Sequence, residues 1–329
     1  MKRLSFINLL AFSVFSLISC SANKHLELVM AESNPPDTIS AKTDKIFAEK
    51  VEELSEGKIN IQLFTDSLLG NNDMVLSEMV KDKPNIHLAS VSPDAMVDYD
   101  CTETSLLLVP YTFKDREHFW RFASSDVAIR ILEEPYKNDS GLKGLFFTEE
   151  GFRHFFSTEY AGSIKDLKGK RIRSAGNTMM NNIIKAFGGE FVSISFSNLY
   201  SEMKIGKADM ADQPIMNYLS NNFNQVAPYV ILDGHQMGMR EIVISSEVWD
   251  SLSKKQKNIL LEASKTAQEY CKKYSAESEA EAIKILESEG THFIEVENRA
   301  EWREFCADVI NEGVRSQIEL YGEIINLAD

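Results

Sequence analysis

An arginine that ends a short strand, with a helix beginning just beyond it, is the most chemically suggestive feature of the chain. Lys170 to Arg173 reads as a strand, Ser174 to Asn177 as a turn, and Thr178 to Phe187 as a helix that Gly188 can stop. In open α/β sheets ligands collect in the crevice beyond the carboxyl ends of the strands, where helix N-termini add unpaired N–H groups and partial positive charge. Arg173 would present a planar fork there, matched to a carboxylate. An arginine at a strand end also suits a surface salt bridge, so position alone leaves both uses open. The same strand-then-helix order repeats through Glu190 to Ile194, Ser195 to Ile205 closed by Gly206, and Ala208 to Ala211. Pro214 follows and holds Asp212 and Gln213 extended or in a turn at another strand end, facing the same crevice.

The elements needed to position this site begin at His25 to Ala31, where Leu26, Leu28 and Met30 alternate with polar neighbours as a first strand. Turn residues Ser33 to Pro36 lead to a helix capped by Asp37 or Thr38, with Ile46, Phe47, Val51 and Leu54 as its buried stripe, and then to a strand over Lys58 to Phe64. A helix starting at Asn72 or Asp73 and a strand over Ile86 to Val91 complete this βαβ opening. Leu106 to Phe113 reads as an apolar, strand-like run ending in a proline turn. Gly144 to Thr148 is a strand, after which Glu149 to Arg153 carry the chain out of a first domain; Arg153 has Glu149 and Glu150 as candidate ion-pair partners. Tyr229 to Asp233 begins the return crossing, and Glu241 to Ser245 is a further strand. Ser253 with Gln256 forms a capping box for a helix without a breaker before Gly290, roughly 50 Å at ~1.5 Å per residue and longer than one domain needs. Its acidic run Glu277 to Glu281 reads as a solvated face. Thr291 to Val296 reads as a strand, and Glu301 to Leu327 as a closing helix.

GKRIR, FSNLY and the G-x-x-D-x-x-x-Q-P run, together with FaekVeelsxGKi near the start and GfRhf at Gly151 to Phe155, resemble the solute-binding proteins of tripartite ATP-independent periplasmic (TRAP) transporters, the DctP family. The resemblance covers the chain after residue 24. It implies an α/β, two-domain periplasmic solute-binding protein fold with a hinge, a ligand cleft between the domains and a long helix spanning both. The implied division is residues 25–150 plus 239–278 for domain I and 151–238 plus 279–329 for domain II. The family's carboxylate-binding arginine falls on Arg173, and a second polar contact on Arg153. The family's DGqEnP reads here Asp209 to Pro214, with Met210 and Gln213 in place of its Gly and common Asn, so Gln213 becomes the next polar contact. Phe196 of FSNLY, Tyr111 of the family's lPylF element, and Asn34, Asn72, Asp73 and Ser92 at the strand ends of domain I complete the implied ligand set. For the last four, capping and turn chemistry is the alternative use. Sialic-acid-binding relatives tend to carry an acid near Ser92, which counts against sialic acid.

Met1 to Ser19 reads as a secretory signal, with Lys2 and Arg3 before an apolar run from Leu4 to Ile18 that is too short to span a bilayer stably. LISC matches a bacterial lipobox, with Cys20 as the lipidated first residue and residues 20–24 as a tether; an ordinary cleaved signal peptide is the alternative. The chain has 329 residues, and the portion after the signal exceeds a single core's usual ~250 to 300. The net charge is −15, and without Lys2 and Arg3 there remain 33 basic against 50 acidic side chains. That balance disfavours nucleic acid and anionic membrane surfaces as partners. An anionic ligand therefore needs a few focused cations. Cys101, Cys271 and Cys306 form an odd set and read as buried thiols, one bridge being the alternative.

No G-x-S-x-G, P-loop, H-E-x-x-H or dinucleotide fingerprint occurs, and the six histidines are scattered. The expectation is therefore no catalytic residue, no metal and no cofactor, in a monomer that is lipid-anchored in a bacterial periplasm or at the cell surface. Its expected partners are a small organic acid and TRAP membrane permease subunits. A sensor or protein-interaction lipoprotein on the same fold is the second reading, and an unrecognised enzyme built on Arg173 the third.

Overall fold

A computed structural model describes residues 25–176 and 178–328. The signal sequence and Cys20 lie outside the described residues. Two long antiparallel strands organise the molecule. β4 (Leu142–Ser157) and β8 (Tyr229–Ser245) pair from Leu142↔Ser245 to Ser157↔Tyr229, crossing register shifts between Gly144 and Phe146, Glu149 and Gly151, and Arg153 and Phe155. The remaining strands are β1 (Leu26–Glu32), β2 (Ile59–Phe64), β3 (Leu88–Val91), β5 (Arg171–Ser174), β6 (Glu190–Ser193), β7 (Met210–Pro214) and β9 (His292–Ile294). They extend this pair into a sheet ordered β2-β1-β3-β8-β4-β7-β5-β6, with β9 beside β8.

β1, β2 and β3 run parallel and join the last part of β8, whereas β7 joins the last part of β4 and leads to parallel β5 and β6. Two β/α halves thus share one hydrogen-bonded pair. In the first, Leu28 and Met30 of β1 and Ile242 and Ile244 of β8 bury against Phe47 and Val51 of the helix Ile39–Leu54, which Thr38 caps. In the second, Phe155 and Phe156 of β4, Ile172 of β5 and Val230 of β8 pack on Ile184, Tyr218 and Leu286. Each fully buried side chain of this size contributes roughly 1.5 to 3 kcal/mol relative to exposure.

The long helix Lys254–Ser288 has 35 residues and begins with the expected box, Ser253 N donating to Gln256 Oε1 at 2.9 Å and Gln256 N to Ser253 Oγ at 3.3 Å. Leu260, Ala263 and Ala267 join the first core, while Ala282 and Leu286 join the second. Between them, Cys271 Sγ donates to Glu149 O at 3.3 Å and Ser275 Oγ donates to the Glu149 carboxylate, which pins the helix to β4 midway. Gly151 stands beside this point with φ of 90° and pairs with Gly238, where an added Cβ would lie 2.8 Å from Gly151 O. Both positions therefore need glycine.

Several elements differ from the sequence expectation. β4 does not stop at Thr148, because the register shifts absorb the irregular residues Glu149 to Arg153 without breaking the pairing. Tyr229 to Asp233 and Glu241 to Ser245 are one strand for the same reason. Leu106 to Phe113 is not a strand: Glu103–Leu108 is a 3₁₀ helix, and Tyr111 beyond Pro110 takes φ of 59°. Ser195 to Ile205 splits into a 3₁₀ turn and the helix Leu199–Lys204. Glu301 to Leu327 is three helices, Arg299–Phe305, Ala307–Val314 and Ile318–Ile325, parted at Cys306 and at Gln317 with φ of −142°. All three described cysteines are free and buried. No described helix is long and apolar enough to cross a membrane.

Candidate functional site

β5 pairs with β6 along its whole length and with β7 at Ile172, which is buried in the core, and Arg173 is its last residue but one. Arg173 is only 5 % exposed. Its Nε donates to Ile194 O at 2.9 Å, and its two terminal nitrogens have no hydrogen-bond partner among the described residues. Burial lowers the guanidinium to about 10, an effect that the charge of Asp212 only partly offsets. A buried cation with its fork unfilled is set to receive an anion. The helix Thr178–Ala186 starts just beyond, after the undescribed Asn177.

Arg153 differs from Arg173 in having its partner already. Its ion pair is not with Glu149 or Glu150: Nε donates to Asp212 Oδ2 at 2.5 Å and Nη2 to Asp212 O at 3.0 Å, because antiparallel β7 lies beside this part of β4. Burial alone would lower the Arg153 pKa, but Asp212, through charge and hydrogen bonding, and Glu150 outweigh it and leave it above its ordinary value. Burial likewise favours neutral Asp212, yet Arg153 and His235 hold it well below the usual carboxylate range. His235 is fully buried and stacked on Phe155 at 4.5 Å. Its Nδ1 stands 2.7 Å from Asp233 Oδ2 and its Nε2 3.4 Å from Asp212 Oδ2, the second an ion-pair distance rather than a well-formed hydrogen bond. Burial works against its charge, but the two aspartates overcome this and raise it to about 9. Together β4, β5, β7 and β8 supply the cations Arg153, Arg173 and His235 against the carboxylates Asp212 and Asp233. Asp212 and Asp233 face Arg153 and His235 directly, and Glu150 adds to the field on Arg153, whereas Arg173 has no ion pair among the described residues.

Gln213 is 5 % exposed and pairs with His154 across the ladder, so alternation turns it to the face of β7 opposite Asp212. Phe196 is half-buried, its ring 6.3 Å from that of Phe223. On the domain I side, Asn34 is buried and spends both amide hydrogens, on Ser40 Oγ at 3.0 Å and Glu150 Oε1 at 2.9 Å, leaving its carbonyl oxygen for another partner. Glu150 also accepts from Asn217 Nδ2 at 3.2 Å, and burial raises its pKa. Asn72 Nδ2 donates to Ser92 Oγ at 3.1 Å, tying two expected contacts to each other, while Asp73 is exposed. Tyr111 meets the charge cluster through its backbone, its N–H donating to His235 O at 2.8 Å. It lines a cavity of about 400 Å³ with Lys114, His118, Arg299 and Arg303, and its ring lies 5.2 Å below the Arg299 guanidinium. None of its described contacts is to Arg153 or Arg173.

Sequence reasoning did not single out Asp212, Asp233 and His235 as a charge group, nor Arg240, which donates to Glu32 Oε1 and Ser33 Oγ, each at 3.1 Å, and to Ser90 O. A signal existed in the charged pair Arg240 and Glu241 within the otherwise apolar run MGMREIVIS. Among the described residues no group of three or more His, Cys, Asp or Glu is arranged to hold a metal ion.

Residues 30–317 match the DctP profile, described as bacterial extracellular solute-binding protein, family 7. The sialic acid-binding periplasmic protein SiaP of Vibrio cholerae is 23 % identical over 285 residues, 86 % of this chain and 88 % of the relative. The C4-dicarboxylate-binding periplasmic protein DctP of Rhodobacter capsulatus is 22 % identical over 283 residues, 84 % and 83 % of the two chains. A TRAP periplasmic solute-binding protein of Pseudomonas putida F1, crystallised with bound D-glucuronate, superposes with a TM-score of 0.86 at 22 % identity, covering 91 % of this chain and 96 % of that one. The match to the family profile spans nearly the whole described chain and includes every strand of the shared sheet from β2 to β9; this protein belongs to the DctP family of bacterial extracellular solute-binding proteins.

Proposed function

We propose that the protein captures a small organic acid by its carboxylate on Arg173 and presents it to the membrane permease subunits of a TRAP transporter. The observation that carries this reading is the unfilled fork of the 95 % buried Arg173, whose charge has no ion-pair partner among the described residues. A carboxylate supplies the counter-charge and completes the hydrogen bonds. Arg153, steered by Asp212, is the next polar contact, and Phe196 covers the ligand's apolar part; Gln213, expected from the sequence as a further contact, faces the other side of β7 and would reach the ligand only from beyond the strand end. The relatives support the same chemistry, since those named above bind sialic acid, C4-dicarboxylates and D-glucuronate.

In this reading the protein is a binder and not an enzyme, and it works as a monomer. The boundaries expected from the sequence put the hinge where β4 and β8 cross at Gly151 and Gly238, so that domains 25–150 plus 239–278 and 151–238 plus 279–329 close on the ligand. Lipid on Cys20 keeps it at a membrane in the periplasm or at the cell surface; globomycin-insensitive processing would remove that element alone. The test of the whole is native mass spectrometry of the purified protein followed by calorimetric titration with the acid it releases. A carboxylic acid that binds wild type and not Arg173→Ala is the expected result. A folded protein that carries and binds no acid overturns the reading in favour of a sensor or interaction subunit.

A further inference from the structure

The cavity beside Tyr111 is a second basic place in the molecule. Its volume of about 400 Å³ lies at the small end of the ~300 to 1,000 Å³ of ligand pockets, and Lys114, Arg299 and Arg303 line it while no carboxylate does. It is separate from the carboxylate site. The Arg299 guanidinium lies 5.3 Å from the Phe152 ring, and strand alternation turns Phe152 to the face of β4 opposite Arg153. Tyr111 holds φ of 59°, a conformation that costs an aromatic residue on the order of 1 kcal/mol or more, and this seats its ring under Arg299. Tyr111 is only 7 % exposed, and its hydroxyl has no hydrogen-bond partner among the described residues. Arg299 is half-buried and donates from Nη1 to Lys114 O at 3.2 Å and from Nη2 to Gly234 O at 2.8 Å, which leaves three of its five N–H groups open. Carbonyls do not cancel its charge. The carboxylates whose field reaches it, Asp233 and Asp115, are committed to His235 Nδ1 at 2.7 Å and to His118 N at 2.8 Å. Lys114, Arg299 and Arg303 thus have no ion pair among the described residues, in a chain whose net charge is −15. The opposite wall is apolar, formed by Ile325 and Ala328, and Arg121 fixes it by donating to Ala328 O at 2.6 Å.

We propose that this cavity is a second ligand site, for a small amphipathic anion: a carboxylate received by Arg299, Arg303 and Lys114, carrying one ring or a short chain that lies along Ile325 and Ala328. The site goes beyond carboxylate capture by Arg173 and does not depend on it. Both parts of such a ligand answer the lining. The carboxylate supplies the counter-charge that no described acid of the chain provides, and three clustered cations hold it against the negative field of the whole molecule. The apolar part removes water from the facing wall. An acid without the apolar part, or an amide without the charge, satisfies only half of the cavity.

The experiment is calorimetric titration of wild type and Arg173→Ala with 3-phenylpropionate, beside 3-phenylpropionamide and acetate. Binding that survives in Arg173→Ala belongs outside the carboxylate site. 3-Phenylpropionate is expected to bind that variant saturably, with the amide and acetate at least about tenfold weaker. Lys114 and Arg303 are exposed and lend no side-chain hydrogen bond to the described fold, so replacing them should leave the thermal melt unchanged. In the Arg173→Ala background, Lys114→Gln and Arg303→Gln should each weaken 3-phenylpropionate about threefold, and together about tenfold. Absence of saturable binding to Arg173→Ala, or binding there that the paired Gln substitutions do not move, overturns the proposal. If wild type alone binds the probe, capture by Arg173 stands and only the second site falls. If Arg173→Ala binds it as wild type does and the paired substitutions abolish that binding, the second site stands whatever the cleft takes.

Discussion

Truncating Arg173 separates ligand affinity from fold stability. Burial lowers its guanidinium from its ordinary value to about 10, so the charged form in the ligand-free protein is disfavoured by roughly 3 kcal/mol. A bound carboxylate supplies the missing counter-charge. Removing the arginine then strands that carboxylate in a cleft whose other cations, Arg153 and His235, are already matched by Asp212 and Asp233. The expected loss in Arg173→Ala is about 2 to 5 kcal/mol, about 30-fold to several thousand-fold in affinity. The ligand-free protein should behave differently. It loses one hydrogen bond to Ile194 O, roughly 1 kcal/mol, but also sheds a desolvated charge of larger opposite sign, so its melting temperature should hold or rise. Arg173→Lys keeps the charge and loses the fork, and should weaken binding about tenfold or more. Calorimetric titration of both variants, beside thermal melts with and without ligand, measures each quantity. Unchanged affinity in a folded Arg173→Ala protein refutes the reasoning.

Asp212→Asn leaves Arg153 and His235 without their shared counter-charge and should cost about 3 to 5 kcal/mol in a denaturant melt, whereas an unchanged midpoint would mean that solvent already screens the group. Stability should fall as pH rises from 6.5 to 9. His235 is raised to about 9 and Glu241, buried with no partner for either carboxyl oxygen among the described residues, to about 8; a raised group stabilises fully below its unfolded pKa and loses that contribution as pH passes its folded one. His154, lowered to about 4 by burial, has the opposite sign and acts only between pH 4 and 6.5. Thermal melts across this range check the slope, and Glu241→Gln should flatten part of it; a level profile from 6.5 to 9 contradicts the assignment. Gly151→Ala combines a φ of 90° with a Cβ only 2.3 Å from Glu279 Oε2, so a loss of about 1 to 3 kcal/mol is expected, and a melt indistinguishable from wild type would show that the crossing tolerates a side chain.

Elements that obey one local rule were legible in the sequence. The capping box at Ser253, the unbroken spacing of the long helix and the alternation of β1 follow from near neighbours, and all three appear at or close to the expected residues. β4 and β8 were cut short because glycines and acidic residues at their middles mimic loop chemistry, and only the strand opposite, which supplies the missing partners, keeps them extended. For Arg173 the adjoining strand end and helix start left a surface salt bridge and a ligand site both open, and its burial with unfilled terminal nitrogens comes from the fold. For Arg153 the sequence offered Glu149 and Glu150 as partners, whereas the one observed, Asp212, lies 59 residues away and is brought in by pairing of β7 with β4. The same holds for Asn34, whose amide is taken up by Glu150, 116 residues distant. Contacts of that kind depend on register, and register is set by the whole sheet.

The β4–β8 pair also limits how the two halves can travel. Halves joined by separate flexible strings could twist, slide or splay independently. Here the join is a ladder of cross-strand hydrogen bonds that continues on both sides of Gly151 and Gly238, so sliding one half past the other would require breaking it. Bending across the plane of the ladder at its glycine step leaves the rungs in place. In the closure proposed above, Arg153 and Arg173 would approach the facing half along nearly the same arc at every encounter, and the distance between the two walls at capture would act as a ruler for the length of the ligand.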